Sequence, residues 1–198
     1  DPFAGIDGAM TLCSSNGVFD PSTALTGSPD LGGLWYAPNG TMVTGALDAL
    51  SAAQGTYTYV VTVPPPCVND TALVAITIIQ AVDAGVDGSI TICSDEVAFD
   101  LFDQLGGSPD MGGTWQGPNG VSTGTFTPGE DAMGTYSYTM LGTSPCPNDW
   151  AIVVVDVEPL PNAGTDGATT VCPGAPNVNL FALLGGSPDA GGSWTGPG

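Results

Sequence analysis

The sequence has no lysine, arginine or histidine among its 198 residues, whereas it carries 20 aspartate and glutamate residues and a formal net charge of −20. Without basic side chains, no salt bridge can form between two side chains of the chain. Nucleic acids are excluded as partners, because phosphate binding depends on lysine and arginine. Anionic membrane surfaces are disfavoured for the same reason.

Long hydrophobic runs are also missing. No run of about 18 apolar residues is present, so the sequence predicts no membrane insertion. The first residues, Asp1-Pro2-Phe3, lack the basic and apolar regions of a signal peptide, and we interpret the chain as a mature fragment. The apolar content of 42% is nevertheless high enough to build hydrophobic cores, which distinguishes the chain from a disordered acidic tail.

The absence of histidine and lysine also excludes most catalytic mechanisms. Serine, threonine and cysteine nucleophiles need a base that accepts a proton near neutral pH, and the chain offers none of the usual ones. A pair of carboxylates, as in glycoside hydrolysis, is the remaining option. Because the acidic residues are spread over repeated segments, chance pairs are expected, and we predict that the protein is not an enzyme and needs no catalytic cofactor.

An internal repeat dominates what is present. Three residue patterns recur at spacings of 80 and 79 residues: Cys13, Cys93 and Cys172; Trp35, Trp115 and Trp194; and Gly-Ser-Pro-Asp from Gly27, Gly107 and Gly186. The Gly-Thr-Tyr-x-Tyr run at Gly55 also recurs at Gly134. The period predicts two modules, residues 1–82 and 83–161, and the first half of a third, residues 162–198.

Each module reads as short β-strands between clusters of glycine, proline, asparagine and aspartate. This pattern predicts an all-β fold, in which tandem Ig-like β-sandwich modules of about 80 residues form an elongated array. In the second module we predict strands at 89–93, 98–102, 113–116, 123–127, 135–141 and 151–157. Residues 100–105 have a helical turn as an alternative.

The predicted core follows from alternation along the strands. Val74, Ile76 and Ile78 align with Val153, Val155 and Val157, whereas Thr77 and Ile79 align with Asp156 and Glu158. Because side chains alternate between the two faces of a strand, the first set should face the core and the second the solvent. The same reasoning places Tyr57 and Tyr136 in the core. The Pro-Asp-x-Gly turn is expected to deliver Trp35, Trp115 and Trp194 to the core. Its x position is apolar but variable (Leu31, Met111, Ala190), which leaves a minor contact role open.

Five cysteines at repeat positions predict structural disulfides and an oxidising compartment. The odd number of cysteines leaves two pairing schemes open. Cys13 could pair with Cys67 inside a module, or Cys67 with Cys93 across a junction. Cys67 precedes the last strand, and Cys13 lies six residues after Asp7, so both are expected where the chain enters the module. We therefore predict Cys13 with Cys67 and Cys93 with Cys146, and Cys172 with a residue beyond Gly198.

The junctions between modules carry an acidic motif with two interpretations. Closely spaced side-chain oxygens beside glycine suit calcium, and the candidate ligands are Asp7, Asp83, Asp87, Asn162 and Asp166. The motif is shorter than an EF-hand loop, however, and Asp-Gly at a strand boundary is an ordinary turn. A plain linker turn therefore remains the alternative to a calcium site.

Together, these motifs resemble the Ig-like repeats of very large surface adhesins of Bacteroidetes bacteria. The resemblance rests on Asp-Ala-Gly-x-Asp-Gly, Thr-Ile-Cys, Leu-Gly-Gly-Ser-Pro-Asp-x-Gly-Gly-x-Trp, Gly-Thr-Tyr-x-Tyr and Pro-Cys-x-Asn-Asp. It implies export by the type IX secretion pathway, usually with a gliding-motility-associated sorting domain, and an extracellular cell-surface location. It also implies an O-glycan at Thr71, within Asp70-Thr71-Ala72.

Three functions compete at this stage. The first is a structural and adhesive stalk, in which repeats project a distant binding domain. The second is a self-assembling extracellular filament, built by strand addition at a sheet edge. The third is direct binding of carbohydrate or protein through exposed loops. The predicted partners are neighbouring repeats of the same chain and, for the filament, other copies of it.

Overall fold

A computed structural model describes residues 1–196. Module 1 contains strands β1 (Gly8–Cys13), β2 (Val18–Phe19), β3 (Leu34–Tyr36), β4 (Leu47–Asp48), β5 (Gly55–Val61) and β6 (Asp70–Ile79). Module 2 contains β7 (Gly88–Cys93), β8 (Phe99–Asp100), β9 (Thr114–Gly117), β10 (Gly120–Ser122), β11 (Thr125–Phe126), β12 (Gly134–Met140) and β13 (Asp149–Glu158). Short 3-10 helices lie at Ser14–Asn16, Pro21–Ala24, Leu101–Gln104 and Phe181–Leu183. Within residues 1–196, no helix is long and apolar enough to cross a membrane.

Each module is a sandwich of one large and one small sheet. In module 1 the large sheet has the order β1-β6-β5-β3 and the small sheet pairs β2 with β4. Module 2 repeats this arrangement as β10-β9-β12-β13-β7 and β11-β8. The last two strands of each module form the antiparallel hairpin that the sequence predicts, and the first strand lies parallel to the last.

The direction of the last strand defines two ends of a module. We call the end where β6 begins, at Asp70, the front end, because the chain enters the module there. The end where β6 stops, at Ile79, is the rear end, from which the chain continues into module 2. The corresponding strand of module 2 runs from Asp149 at the front end to Glu158 at the rear end.

The cores lie between the sheets and follow the predicted alternation. Val74, Ile76 and Ile78 are buried in module 1, and the intervening Thr77 is exposed. In module 2, Val153 and Val155 are buried and Asp156 is exposed. The two clusters of buried residues are separate, one within residues 4–78 and the other within residues 84–155, so each module has its own hydrophobic core.

The strand order and one tyrosine identify the sandwich as Ig-like. Strands β3, β5 and β6 correspond to the C, F and G strands of an immunoglobulin domain, and β2 and β4 to B and E. Tyr57 and Tyr136 lie near the start of the F strand, and each hydroxyl donates a hydrogen bond to the carbonyl four residues upstream, at 3.0 and 2.8 Å. This arrangement is the tyrosine corner of immunoglobulin domains.

Each predicted strand is present in the structure, but several of the strand boundaries differ from the prediction. The stretch predicted at 98–102 is a two-residue strand, Phe99–Asp100, followed by the 3-10 helix Leu101–Gln104, which confirms the alternative of a helical turn. Asp100 caps this helix by accepting a hydrogen bond from the backbone N–H of Phe102 at 2.9 Å. Strand β10 was not predicted, because its sequence, Gly-Val-Ser, carries no alternation.

The third repeat folds locally in the same way as the first two. The bridge between Thr165 and Gly185 matches those between Ile6 and Thr26 and between Val86 and Gly106. Trp194 is nevertheless 56% exposed, so its predicted place in a core is wrong. Trp35 and Trp115 are covered by a tyrosine strand of their own module, and no such strand follows Trp194 in this sequence.

Candidate functional site at the module junction

A disulfide between Cys13 and Cys146 joins the rear end of module 1 to the front end of module 2. The Cα atoms of the two residues lie 4.8 Å apart, within the range that disulfides require. The predicted pairs, Cys13 with Cys67 and Cys93 with Cys146, are therefore wrong in the structure. The alternative pair of Cys67 with Cys93 is not formed either.

The direction of β1 explains why the predicted pairing failed. Because β1 lies parallel to β6, Cys13 stands opposite Ile79 at the rear end and not beside Cys67 at the front end. The sequence interpretation placed Cys13 at the entry end because it lies six residues after Asp7, but strand β1 (Gly8–Cys13) carries the chain along β6 to the rear end. Cys146 lies in the loop before β13 and therefore at the front end of module 2, as predicted.

Cys67, Cys93 and Cys172 are exposed and form no disulfide among the residues that the structure describes. Cys67 lies in the hairpin loop at the front end of module 1, and Cys93 ends β7 at the rear end of module 2, opposite Glu158. Cys172 lies in the third repeat. A partner for Cys172 beyond Gly198 stays a prediction.

Hydrogen bonds support the disulfide at the junction. Ser14, which is buried, accepts a hydrogen bond from the backbone N–H of Ala81 at 2.9 Å, so the rear end of module 1 binds the linker. The Cys146 sulfur lies 3.3 Å from the carbonyl oxygen of Ile79. At the next junction Ser94 accepts from the N–H of Leu160 at 3.3 Å, which repeats the contact of Ser14.

Three aspartates attach the linker to module 2. Asp149 accepts a hydrogen bond from the N–H of the fully buried Ala84 at 2.7 Å, and Asp110 accepts from the N–H of Asp83 at 3.0 Å. Asp87 accepts from the N–H of Ile152 at 2.9 Å. Each carboxylate thus binds a backbone donor from another segment of the module, and such charge-assisted bonds are stronger than bonds between neutral groups.

The same attachments recur in the other repeats. In module 1, Asp70 accepts from Ala4, Asp30 from Phe3 and Asp7 from Leu73, each through a backbone N–H; in the third repeat, Asp189 accepts from Asn162. The sequence interpretation missed the roles of Asp30, Asp70, Asp110, Asp149 and Asp189. Their signal was present in the sequence, because each stands at a fixed place in Pro-Asp-x-Gly or Asn-Asp.

The candidate calcium ligands are thus engaged with the backbone. Besides the bonds of Asp7 and Asp87, Asp83 and Asn162 each accept a hydrogen bond at 2.8 Å from the N–H two residues later, as in a turn. Asp166 is exposed. Among residues 1–196, no group of three or more acidic, histidine or cysteine side chains could hold a metal ion. The turn accounts for the motif, and calcium binding stays a prediction.

A second tyrosine of the F strand holds the Pro-Asp-x-Gly turn in place. The Tyr138 hydroxyl donates to the carbonyl of Asp110 and accepts from the N–H of Gly113, both at 2.8 Å. Tyr59 makes the same two bonds in module 1. The turn is therefore structural, while the apolar residues at its x position point into solvent: Leu31 is 96% and Met111 85% exposed.

The remaining predicted site residues lie in or beside the cores. Tyr57, Tyr136 and Trp115 are buried, and Trp35 is half-buried. Burial raises the pKa of Tyr57 and Tyr136 above 10.0; the Asp131 carboxylate raises the pKa of Tyr136 further, whereas the bond to Ala53 opposes the shift at Tyr57. Thr71 is exposed on β6, and its glycosylation stays a prediction.

Solved structures of tandem Ig domains resemble this chain, although identities are low. The titin I-band fragment I67–I69 is 11% identical over 78% of this chain and 64% of that chain, with a TM-score of 0.46. The insect immune protein hemolin is 13% identical over 79% and 46%, with a TM-score of 0.46. The four N-terminal Ig domains of Dscam1 are 16% identical over 78% and 44%, with a TM-score of 0.39. This chain thus spans less than two thirds of each. No family model and no curated protein matches it.

Proposed function

We propose that this chain is a structural and adhesive repeat segment of a long extracellular surface protein, in which it acts as a rigid spacer. The disulfide between Cys13 and Cys146 carries the proposal, because it joins two separate hydrophobic cores covalently. Such a bond restricts bending and twisting between modules, which a peptide linker alone would permit. A flexible connector would not need it.

The location outside the cell follows from the same bond and from the sequence. Disulfides persist in oxidising compartments, which supports an extracellular protein. A chain without lysine or arginine also has no cleavage site for trypsin-like proteases, an advantage at an exposed surface. The motif resemblance described above supports a Bacteroidetes surface adhesin, exported by the type IX pathway, as the parent protein. Labelling of intact cells with an antibody against the chain would test the location.

NMR relaxation of the backbone amides tests the spacer role. We expect the two modules of the oxidised chain to share one rotational correlation time, because they tumble as one body. In the double variant Cys13→Ser, Cys146→Ser, each module should tumble with its own, shorter correlation time. The matched control is Cys67→Ser, Cys93→Ser, which should behave like the unmodified chain. Equal correlation times in both double variants would contradict a spacer stiffened by the disulfide.

A cavity in module 1 favours direct ligand binding as a second candidate function. The cavity has a volume of about 390 Å³ and is lined by Trp35, Phe19 and Leu47, with Asp20 at its wall. In module 2 the counterpart of Leu47 is Phe126, which is fully buried with its ring centroid 5.5 Å from that of Phe99. The shorter Leu47 leaves this space open, and an aromatic wall beside a carboxylate suits a sugar or a small apolar ligand.

Tryptophan fluorescence, with neutral oligosaccharides as the probes, tests this second candidate. We expect a saturable change in emission that the substitution Leu47→Phe abolishes, because the larger ring fills the cavity. Val121→Ala, an exposed position in module 2, is the control and should leave the change intact. Equal responses of the unmodified chain and Leu47→Phe would exclude this cavity as the site.

A further inference from the structure

Two of the unpaired cysteines occupy repeat positions whose counterparts are bonded. Cys93 is the counterpart of Cys13 at an offset of 80 residues, and Cys67 is the counterpart of Cys146 at an offset of 79. The one junction that has both cysteines present forms its disulfide. Cys93 and Cys67 are thus the two halves of the same kind of link, one at a rear end and one at a front end.

Cys93 has the same place in its module as Cys13, and both cysteines are followed by a serine. Cys13 ends β1 opposite Ile79, and Cys93 ends β7 opposite Glu158, which is the equivalent position of the last strand. The serine after each cysteine accepts a hydrogen bond from the linker, at 2.9 Å for Ser14 and 3.3 Å for Ser94. The rear end of module 2 therefore presents the same bonding position that is occupied at the rear end of module 1.

The hairpin loop of Cys67 likewise reproduces that of Cys146. Each cysteine directly follows a proline, Pro66 or Pro145. The asparagine two residues later closes both loops: Asn69 accepts a hydrogen bond from the N–H of Val63 at 3.1 Å, and Asn148 accepts from that of Gly142 at 3.0 Å. Both loops therefore hold their cysteine in the same local conformation, exposed in module 1 and bonded in module 2.

We propose that disulfides in this protein always link neighbouring modules, so that Cys93 bonds the hairpin-loop cysteine of a following module and Cys67 bonds the strand-end cysteine of a preceding module. A bond inside one module is excluded by distance. Nine residues of β6 separate Asp70, near Cys67, from Ile79, near Cys13, which is about 30 Å at 3.3 Å per residue. A disulfide requires Cα atoms within about 7 Å.

The reaction is an ordinary thiol oxidation. The thiolate of one cysteine attacks a low-molecular-weight disulfide such as oxidised glutathione, forms a mixed disulfide and releases one small thiol. The second cysteine then displaces the other small thiol and completes the bond between the modules. Two protein thiols have lost two electrons and two protons, which the small disulfide receives as it becomes two thiols.

Because each disulfide links two neighbouring modules, the loops that successive disulfides close overlap along the chain. The loop closed by Cys13 and Cys146 spans 133 residues and already includes Cys93, so the next link would begin before the first one ends. A cut in the backbone at any point between Cys13 and Cys146 leaves the two pieces covalently joined. An array linked in this way keeps its continuity after single proteolytic cuts. The linkage depends on junction geometry and not on the proposed surface location, so its absence would leave that location untouched.

A chain with one added module tests the proposal. Residues 83–159 are placed before Asp1, because Asp1 is the repeat counterpart of Leu160. Serine replaces Cys93 and Cys172 of the original chain and the hairpin-loop cysteine of the added module. After oxidation with glutathione disulfide, a protease that cleaves before aspartate releases peptides for mass spectrometry. We expect residues 48–69, with Cys67, linked to residues 87–94 of the added module, and Cys67 fully protected from alkylation.

The control is the same extended chain with Cys67→Ser. It should lose this linked peptide and retain the bond between Cys13 and Cys146. A free Cys67 in a chain that retains the bond between Cys13 and Cys146 would overturn the proposal, and so would a bond between Cys67 and Cys13. If the added module does not fold, residues 120–161 are instead appended after Gly198 to complete the third repeat. Cys93 bonded to the appended cysteine would support the proposal; an appended cysteine that is free or bonded to Cys172 would overturn it.

Discussion

At the scale of single residues, the carboxylates hydrogen-bond to the backbone. With no basic side chain in the chain, an aspartate has no cationic side chain to pair with. Asp149, Asp110 and Asp87 each accept a bond from an N–H of a different strand or linker. These carboxylates thus hold the linker on the sandwich, although only Asp87 among them was predicted as a site residue, and then as a calcium ligand.

Asp149 provides the clearest test of this role. Asp149→Ala leaves the N–H of the buried Ala84 without an acceptor, and we expect it to lower the free energy of unfolding of module 2 by about 2 kcal/mol. Asp149→Asn keeps an acceptor oxygen and should lose less. Asp156→Ala, on the exposed face of the same strand, controls for the removal of one negative charge from a chain of −20. Urea denaturation measures all three, and equal stabilities of the two alanine variants would refute the role.

The buried tyrosines predict a loss of stability in alkali. Because burial raises the pKa of Tyr136 above 10.0 in the folded state, both states are protonated below pH 10 and the stability is fully present there. Above pH 10 the unfolded chain loses its proton first, so the free energy of unfolding should fall as the pH rises. In Tyr136→Phe the fall above pH 10 should be shallower, as measured by urea denaturation at each pH. An unchanged slope would contradict this cause.

At the scale of elements, the sequence predicts which face of a strand is buried better than it predicts the direction in which the strand runs. Alternation along β6 and β13 identifies their buried sides, because each strand alone determines which side chains are apolar. Whether β1 runs parallel or antiparallel to β6 depends on how the whole sandwich packs. No local sequence pattern indicates this direction. That one direction decides whether Cys13 lies at the front end or the rear end, and hence the whole disulfide scheme.

The linker before β7 needs a glycine for two reasons. Gly85 has a φ of +89°, and a Cβ there would lie 2.7 Å from the carbonyl oxygen of Gly106. We expect Gly85→Ala to destabilise module 2 by more than the roughly 1 kcal/mol that a left-handed backbone costs alanine. Gly129→Ala is the control, because its φ is +81° and a Cβ there meets no atom within 4 Å. Thermal denaturation that ranked the two variants equally would rule out the steric contact.

At the scale of the whole molecule, the repeat period located the cores but not the junction. Cysteines, tryptophans and Pro-Asp turns recur at one spacing, so each module could be aligned with the other and its core inferred. A junction brings together residues from two modules, such as Cys13 and Cys146, and nothing in the period specifies which ends meet. The burial of Trp194 was mispredicted for a similar reason, because it depends on strands from elsewhere in a module.

Calcium binding is a prediction that a melting experiment can decide. An ion held by Asp83 and Asp87 would link the linker to β7 and raise the melting temperature at micromolar calcium, with no equal effect of magnesium or sodium at the same ionic strength. We would read a melting temperature that is unchanged by a chelator as evidence for a plain turn. General screening of the charge of −20 would instead raise the melting temperature with every salt.

Peptide mapping of the unmodified, oxidised chain tests whether a disulfide joins the two modules. Free thiols are blocked by alkylation, and the chain is cut before its aspartates without reduction. We expect residues 7–19 linked to residues 131–148 through Cys13 and Cys146, with Cys67, Cys93 and Cys172 alkylated. Residues 7–19 linked to residues 48–69, or residues 87–94 linked to residues 131–148, would show that each module closes on itself and would contradict a covalent junction.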